Sequence, residues 1–290
     1  MSALILPTVG TVSVHALNKG NKNRRSDKKE YLCIPPAFLA FLVGFIDGDG
    51  YIQVTRTPKG YITIKLVIAL HLKDISTLEY IKSVLNLGII TTYPDLVSPR
   101  CRLIVSRTDL QEVFFPLLLH HRIFFLTETR RAQFDLAMYI IKENKKIYDM
   151  IPVLSYKDAN ITLFNLPSTA LEYVDLPFFK NWIVGFTASE GSFLVKNNND
   201  GCFQLRQRVH IFLFEAFKIV FKTGRKIGID KGIYSQFSVS SKSDIQTVIN
   251  FFSFEGHHPL IGLKNIQYLK WLKNLRDSSR YAKLNYPSFL

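Results

Sequence analysis

Residues 38–50 read FLAFLVGFIDGDG, an apolar run that ends on the acid Asp49 and a glycine. Residues 178–191 read FFKNWIVGFTASEG, a similar run that ends on Glu190 and a glycine. A shift of 141 positions (190 − 49) aligns the two stretches and brings their glycines and several apolar residues into register. Self-similarity at a fixed spacing is the signature of an internal duplication. The sequence therefore predicts two copies of one structural unit.

Each copy changes its hydrophobic period after the motif glycine. Apolar and polar residues alternate along residues 51–57, turn at a Pro-Lys-Gly sequence, and alternate again along residues 61–68. A helical run followed by such alternation predicts a helix and a β-hairpin, and the later patterns predict another helix, hairpin and helix. We expect an α+β fold of two pseudo-symmetric α-β-β-α-β-β-α repeats, each with a four-stranded antiparallel sheet, joined through the two motif helices.

The domain boundaries follow from composition and period. Residues 1–34 contain the basic run NKGNKNRRSDKKE and are predicted to be a flexible basic extension. Residues 35–143 form the first repeat, residues 144–175 a linker with some local packing, and residues 176–290 the second repeat. Within the first repeat, Thr108 followed by Gln111 resembles a capping box at the start of a helix.

Charge and composition limit the class of protein. The 290 residues are 47% hydrophobic, which excludes a wholly disordered chain. A formal charge of +14 favours a polyanionic partner, with nucleic acid ahead of an anionic membrane surface; an ordinary basic protein is the alternative. The three cysteines form no CxxC pair, so neither a zinc site nor a disulfide framework is predicted. The longest apolar run is about half of the roughly 20 residues that cross a membrane, and no secretory signal is predicted.

Small residues on the motif helices predict close packing between them. Gly44 and Gly48 stand four positions apart on the first helix, and Gly185 and Ser189 repeat the spacing on the second. Small residues at this spacing let two helix backbones approach each other. Such packing would bring the acids at the two helix ends together.

The positions of Asp49 and Glu190 are unfavourable for an acid unless a cation is near. A helix C-terminus carries partial negative charge, and two neighbouring carboxylates repel each other. A divalent cation resolves both problems, and all-oxygen ligands suit Mg²⁺, with Mn²⁺ as a substitute. The resulting chemistry is metal-assisted phosphodiester hydrolysis. The alternative is that both acids lie in exposed turns that lead into hairpins.

The stretches LVGFIDGDG and IVGFTASEG resemble the LAGLIDADG motif, and a chain with two copies resembles a monomeric LAGLIDADG homing endonuclease. The run LIGLKNIQYLKWLKNLRDSSRY at residues 260–281 is similar to intron-encoded endonuclease and RNA maturase proteins of fungal mitochondrial group I introns. The resemblance implies two sheets that straddle double-stranded DNA, cleavage of both strands at a long asymmetric target, and a mitochondrial matrix location with organelle encoding. It also implies group I intron RNA as a second possible partner.

The resemblance assigns roles to particular residues. Asp49 and Glu190 become the metal ligands. The preceding residues, Gly48 and Ser189, are placed in the same metal site. Lys264 matches the family's active-site lysine, although an ordinary solvated lysine is the alternative. Gln207 matches a polar residue beside the metals. His71 is expected at the equivalent place in the first repeat, with a half-buried structural histidine as the alternative.

The chain departs from the family pattern in two places. Ala188 replaces the first acid of the second motif, which is harmless if only the last acid binds metal. Thr127 stands where a first-repeat counterpart to Lys264 is expected, with Arg130 and Arg131 one turn further on. Unequal cleavage of the two strands, or a weakened nuclease, is the consequence we expect.

Polar residues on the predicted strands are candidates for DNA contact, because arginine, lysine and glutamine read base edges in the major groove. In the first half these are Gln53, Thr55, Thr57, Tyr61, Thr63, Lys65, Arg100 and Arg102. In the second half they are Ser192, Lys196, Gln204, Arg206, Arg208, Tyr234, Gln236 and Ser238. The alternative for each is the solvated face of a two-layer sheet.

Three functions remain open from the sequence. The first is a Mg²⁺-dependent, site-specific DNA endonuclease that acts as a monomer. The second is an RNA maturase that assists splicing of its own intron with weak or no nuclease activity, and the two can coexist. The third is a DNA-binding regulator that keeps the fold without catalysis.

Overall fold

A computed structural model describes residues 28–151 and 165–290. The first part contains α1 (Lys28–Tyr31), α2 (Pro36–Asp49), β1 (Gly50–Arg56), β2 (Ile62–His71), α3 (Ile75–Leu85), β3 (Ile89–Tyr93), β4 (Arg100–Val105), α4 (Arg107–Asp109), α5 (Phe115–His120) and α6 (Glu128–Lys142). The second part contains α7 (Ala170–Val174), α8 (Phe179–Glu190), β5 (Gly191–Val195), β6 (Gly201–Arg208), α9 (Ile211–Val220), β7 (Gly228–Asp230), β8 (Tyr234–Val239), α10 (Lys242–Ser253) and α11 (Gly262–Asp277). Short 3-10 turns lie at Leu72–Asp74 and Tyr148–Met150, and a π-helical segment, Leu110–Phe114, joins α4 to α5.

The two sheets have the same topology. The strand orders are β1-β2-β4-β3 and β5-β6-β8-β7, and all neighbouring strands are antiparallel. In the first hairpin Gly50 pairs with Ile68, and in the second Gly191 pairs with Leu205. The predicted α+β fold of two repeats with four-stranded sheets is therefore confirmed.

Helices α2 and α8 pack against each other at the centre of the molecule. A methyl group on Gly44 would overlap the backbone carbonyl of Trp182, and one on Gly185 would overlap the carbonyl of Phe41. The shift of 141 positions (182 − 41) that aligns the motifs also relates Phe41 to Trp182, so the contact is pseudo-symmetric. The helix backbones touch where only glycine fits, as the spacing of small residues predicted.

Each sheet buries one face and exposes the other. In the second repeat Phe193, Phe203 and Phe237 point into an aromatic core, where Phe203 lies 5.1 Å from Phe193 and 6.2 Å from Phe237 between ring centroids. The alternating residues on the same strands are polar and more exposed. Burial of one apolar face per sheet leaves a solvated polar face in each repeat.

The structure corrects three local expectations. The helix after β4 is capped by Ser106, whose hydroxyl accepts from the Asp109 N–H at 3.3 Å, and not by Thr108. The last residues of the predicted flexible extension belong to the folded part instead, because Tyr31 and Ile34 are buried; the rest of that prediction, residues 1–27, lies outside the described part. The end of the predicted linker forms α7, which packs on α9 through the fully buried Tyr173.

No helix within residues 28–151 and 165–290 combines the length and apolar character that a membrane crossing requires.

Candidate active site

The two motif acids meet at one end of the helix pair. Each apolar helix runs directly into a strand, so its last residue lies at the edge of the sheet that follows. The α-carbon of Gly48 lies against the side chains of Ser189 and Glu190, because a methyl group there would approach the Cγ of Glu190 to 3.0 Å. The ends of α2 and α8 are therefore in contact, and Asp49 and Glu190 belong to one site.

The glycines after the acids are required by space and not by backbone conformation. Gly50 and Gly191 have extended backbones, with φ of −98° and −83°. A methyl group on Gly50 would approach Ile46 to 2.8 Å, and one on Gly191 would approach the backbone of Thr187 to 2.5 Å. The helices turn into strands without a left-handed residue, which brings the acids close to the first strand of each sheet.

Burial and mutual repulsion act on both acids. Burial raises the pKa of Asp49, and Asp74 raises it further, while Lys264 and Arg130 lower it. Burial also raises the pKa of Glu190, and the Asp49 carboxylate adds to the rise. The net direction is upward for both, so the free carboxylates lack full compensation for their charge.

Two cations complete the cluster. The ammonium group of Lys264 donates to the backbone carbonyl of Gly191, and the Nε of Arg130 donates to the carbonyl of Ile46 at 3.2 Å. Burial lowers the pKa of Lys264, and the neighbouring acids Asp49, Asp74 and Glu190 oppose that shift. Lys264 is thus bound to the backbone next to Glu190, and Arg130 is bound to the backbone of the last turn of α2, which ends at Asp49.

The donor set at this site fits a hard divalent cation. Within the described residues no three His, Cys, Asp or Glu side chains gather in a group that could hold a metal. Asp49 and Glu190 therefore offer two carboxylates, and water or phosphate oxygens would supply the remaining ligands. Mg²⁺ is commonly bound in this way, through one or two carboxylates and several waters. Gly48 and Ser189 adjoin the acids, but the Ser189 hydroxyl donates to the carbonyl of Phe186 at 3.0 Å, so their part in metal binding stays a prediction.

Gln207 lies beside an acid, as expected, and His71 does not. The side-chain amide of Gln207 donates to Oε1 of Glu190 at 3.0 Å. In the strand register Gln207 stands two residues after Leu205, and the equivalent residue of the first repeat is Leu70. His71 is exposed and its Nδ1 accepts from the N–H of Lys73 at 3.1 Å. The expectation that His71 matches Gln207 is therefore wrong by one residue.

Thr127 is not the counterpart of Lys264. Thr127 directly precedes α6, and Ile261 directly precedes α11, so the third residues of the two helices are Arg130 and Lys264. Burial lowers the pKa of Arg130, and Asp47, Glu190 and Asp49 raise it. The first repeat therefore has a cation at the site, and the expectation that it lacks one is wrong.

Asp47 is a part of the motif whose structural role sequence reasoning left out. Its Oδ2 accepts from the N–H of Leu126 and from Nε1 of Trp182, each at 2.8 Å. Its Oδ1 accepts from the N–H of Thr127 at 3.2 Å and from the Thr127 hydroxyl at 2.6 Å. Burial raises the pKa of Asp47 to about 6 against the effect of these donors. Asp47 thus connects the start of α6, the helix that carries Arg130, to the packed motif helices α2 and α8.

The position of Asp47 offered a signal that sequence analysis did not use. An acid inside an apolar helix has to find donors, because a buried carboxylate without partners is very unfavourable. The equivalent residue of the second repeat is Ala188, which cannot accept a hydrogen bond from a side chain. The starts of α6 and α11 are therefore held by different means.

The predicted DNA-contact residues fall into two groups. Most lie on the exposed faces of the two sheets, where they alternate with core residues. These are Gln53, Thr55, Thr63, Lys65, Arg100, Arg102, Ser192, Gln204, Arg206, Arg208, Tyr234, Gln236 and Ser238. The other three, Thr57, Tyr61 and Lys196, lie in the hairpin turns outside the strands.

Contacts on these faces hold some of the arginines in place. Arg206 pairs with Asp230 at 2.7 Å and lies over the ring of Tyr234 at 4.2 Å. Arg102 lies over the ring of Tyr93 at 5.1 Å. Stacked guanidinium groups lose less rotamer freedom when they bind, which suits them to recognition of a charged partner.

Comparison with known proteins identifies related chains. A family model described as LAGLIDADG endonuclease matches residues 42–139 and 183–275. A probable intron-encoded endonuclease aI3 of Kluyveromyces lactis is 26% identical over 261 residues, which cover 80% of this chain and 63% of the relative. A protein of the same name from Dictyostelium citrinum is 23% identical over 227 residues, which cover 78% of this chain and 90% of the relative. The chain thus spans less than two thirds of the Kluyveromyces lactis protein.

Solved structures share the fold. I-SmaMI bound to an uncleaved DNA target in the presence of calcium ions matches with a TM-score of 0.61 at 20% identity, over 82% of this chain and 91% of that one. The meganuclease I-CpaMI bound to uncleaved DNA matches with a TM-score of 0.59 at 19% identity, over 84% and 94%. At these identities the likeness extends to the fold alone.

Proposed function

The chain belongs to the LAGLIDADG endonuclease family, and from that premise we propose that it is a site-specific, Mg²⁺-dependent DNA endonuclease that acts as a monomer. The observation that carries the proposal is the contact between the ends of α2 and α8, which brings Asp49 and Glu190 into one site. Both acids come from one chain, so a single molecule holds the complete pair. Mn²⁺ is expected to substitute for Mg²⁺.

The divalent cation, when bound by these two carboxylates, would activate water and stabilise the leaving oxygen of a phosphodiester. The protein's own part is to place the surrounding groups. Gln207 donates to Glu190 and fixes the orientation of that carboxylate. Lys264 and Arg130 both lie close enough to the acid pair to act on it electrostatically, so their charge would attract a scissile phosphate and stabilise negative charge as it develops.

Double-stranded DNA is the proposed substrate. The two exposed sheet faces carry arginine, glutamine, serine, threonine and lysine side chains, and the related structures of I-SmaMI and I-CpaMI are described as bound to DNA. The two faces differ at nearly every equivalent position. Because different side chains favour different base edges, the target is expected to be long and asymmetric.

The cellular setting is proposed from the relatives. Proteins similar to this chain are named intron-encoded endonucleases, which supports intron encoding and a role in intron homing. A mitochondrial matrix location with organelle encoding follows from the resemblance to fungal mitochondrial intron proteins.

The test is cleavage of DNA that spans the insertion point of the host intron, with Mg²⁺ or with EDTA. Wild type should cut in Mg²⁺ only. Asp49→Asn and Glu190→Gln should each lower the rate about 100-fold or more, because a metal's stabilisation of the transition state is worth several kcal/mol. The matched control is Asp109→Ala, which removes a partly exposed acid far along the chain from the motif. Full cleavage by Asp49→Asn would refute the proposal.

An RNA maturase is the second candidate. The basic residues Lys222, Arg225 and Lys226 are exposed in the loop between α9 and β7, outside the strand residues proposed to contact DNA, and offer further positive charge for a polyanion. The test is splicing of the host group I intron RNA by the Asp49→Asn, Glu190→Gln double variant. Splicing at the wild-type rate would support this function, and no splicing by well-folded wild type would exclude it.

A further inference from the structure

The start of α11 is capped by a residue of the other repeat. Ile261, which precedes α11, provides no side-chain cap. Instead the N–H of Leu263 donates to Oδ1 of Asp74 at 2.9 Å. Asp74 itself precedes α3 but makes no capping bond to that helix, and the hydroxyl of Thr77 donates to the same Oδ1 at 2.8 Å. A carboxylate of the first repeat thus satisfies a free N–H group of a second-repeat helix.

The contact is fitted too closely to be a chance approach of two loops. Gly262 has a φ of +57°, and a methyl group there would overlap the side chains of Thr77 and Asp74. A second bond lies nearby, where the hydroxyl of Tyr80 and Nε2 of His258 are 3.0 Å apart. Residues 258–263 of the second repeat are therefore docked on α3 of the first.

Residues 258–263 also contact the two packed motif helices, α2 and α8. The His258 ring stacks on Phe41 of α2 with 4.1 Å between ring centroids. The His258 N–H donates to Oδ1 of Asn181, a residue of α8, at 2.8 Å. With Asp74 at its end, the loop that leads into α11 has contacts to three helices, which leaves little freedom for the residue that follows.

That residue is Lys264, whose ammonium group donates to the carbonyl of Gly191 beside Glu190. We propose that Asp74 is a positioning residue, which acts across the boundary between the repeats to fix the start of α11 and with it the place of Lys264 at the acid pair. The inference rests on the proposed endonuclease function. It gives the first repeat a share in building the second repeat's half of the site.

The start of the first-repeat helix α6 is held in a different way. His210 precedes α9 as Asp74 precedes α3, and the Leu126 carbonyl and Glu128 at the start of α6 oppose the lowering of its pKa by burial. The start of α6 is also bound by Asp47, which accepts from Leu126 and Thr127. Because Ala188 replaces Asp47 in the second repeat, α11 lacks that anchor. Loss of Asp74 should therefore affect Lys264 and spare Arg130.

The first test measures cleavage of each strand separately, on a duplex with the host insertion point labelled at both 5′ ends, in Mg²⁺. Under the proposed function each of the two pseudo-symmetric cations, Lys264 and Arg130, serves one strand, so Lys264→Ala identifies the strand that depends on Lys264. Asp74→Ala should slow the same strand about 10-fold or more, because small displacements of catalytic groups have large effects on rate. The other strand should change less than about twofold, so nicked DNA accumulates.

The conservative variant separates positioning from loss of fold. Asp74→Asn keeps an oxygen that can accept from the Leu263 N–H and should restore most of the rate. Asp109→Ala is the control for loss of a partly exposed acid of the first repeat, since Asp74 is also partly exposed. Tyr80→Phe removes only the bond to His258 and provides a milder change if Asp74→Ala does not fold, with a smaller defect expected on the same strand. Equal slowing of both strands, or no slowing, would overturn the proposal.

The second test needs no DNA. Acylation of individual lysines by an N-hydroxysuccinimide ester, followed by mass spectrometry, should label Lys264 slowly in wild type and at least about threefold faster in Asp74→Ala, because release of α11 exposes a partly buried amine. Asp74→Asn and Asp109→Ala should match wild type. If wild type cuts no DNA, the proposed function fails, and this labelling alone decides whether Asp74 positions Lys264. Unchanged labelling in Asp74→Ala would refute it.

Discussion

At the scale of single residues, the carboxylates of Asp49 and Glu190 lie where ionisation costs the folded state free energy. Their pKa values are both raised by burial, and repulsion by Asp49 adds to the rise for Glu190. A raised pKa means that the folded protein binds these protons more tightly than the unfolded chain does. Their contribution therefore favours folding at low pH, and it is lost as the pH rises through the raised values.

This sign predicts a variant that is more stable and inactive. In EDTA at pH 8, Asp49→Asn should melt above wild type, by roughly 1–3 °C because both acids are partly exposed and solvent screens their repulsion. Near pH 4 the difference should shrink as the wild-type acid takes up its proton. Addition of Mg²⁺ should raise the melting temperature of wild type but not of the variant, because only wild type keeps both ligands.

Differential scanning calorimetry at the two pH values, with and without Mg²⁺, measures these shifts. Asp109→Ala serves as the control, since that acid is partly exposed, like Glu190, and its bonds in the structure are to Ser106, three residues away. An Asp49→Asn protein that melts below wild type in EDTA would show that the acid pair does not strain the metal-free fold.

At the scale of secondary-structure elements, the seam between α2 and α8 sets the distance between the acids. Gly44 and Gly185 each lie against a carbonyl of the opposite helix. An added methyl group would push the helix axes apart, and the acids at the helix ends would separate with them. The packing of α2 against α8 therefore determines the distance between Asp49 and Glu190 in the site.

We expect Gly44→Ala and Gly185→Ala to destabilise the protein by about 1–3 kcal/mol or more, which is typical of overpacking in a rigid core. Gly224→Ala is the matched control, because nothing lies within 4 Å of a methyl group there. Urea unfolding followed by circular dichroism gives the free energies. If Gly44→Ala unfolds at the same urea concentration as Gly224→Ala, the two helix backbones are not in contact.

The sequence predicted the elements because their signals are local. The motif helices, the hairpins and the small residues at the seam all follow from period and spacing within a short stretch. Equivalence between the repeats was harder, since β1 has 7 residues and β5 has 5, so a shift that aligns the motifs no longer aligns the ends of the hairpins. Because of this difference, the residue equivalent to Gln207 is Leu70 and not the predicted His71.

The rest of the site depends on contacts between distant parts of the chain. Arg130, and not Thr127, is the counterpart of Lys264 because of where α6 begins. The hydrogen bonds to Asp47 that hold this start span 79 and 80 positions of the chain. The bond from Leu263 to Asp74 spans 189 positions. No periodicity within a segment reports such contacts, so the residues that position the cations became visible only in the folded structure.

At the scale of the whole molecule, the charge of +14 and the two polar sheet faces bear on how the proposed DNA substrate would be bound. Basic side chains neutralise phosphates and release counterions, which supplies affinity without sequence preference. In the proposed function the side chains on the strand faces would read base edges, and the two faces are different in sequence. Affinity and specificity should therefore respond to different substitutions and to different solution conditions.

We expect DNA affinity, measured in Ca²⁺ or without metal so that no cleavage occurs, to fall steeply with salt. For about 6–10 neutralised phosphates, the slope of log K against log salt concentration is about −5 to −9.

If Lys65 contacts a phosphate, Lys65→Ala should make the slope less negative by about 1 and weaken binding to all sequences alike. Gln53→Ala should leave the slope unchanged and relax sequence preference by about 1–3 kcal/mol at a base in one half of the target. Because Gln53 pairs with Lys65 across the β1–β2 ladder, the two variants test neighbouring points on one face.

A palindromic target built from two copies of either half should bind more weakly than the natural site. Equal binding to both palindromes would show that the sequence differences between the two sheets do not select the target.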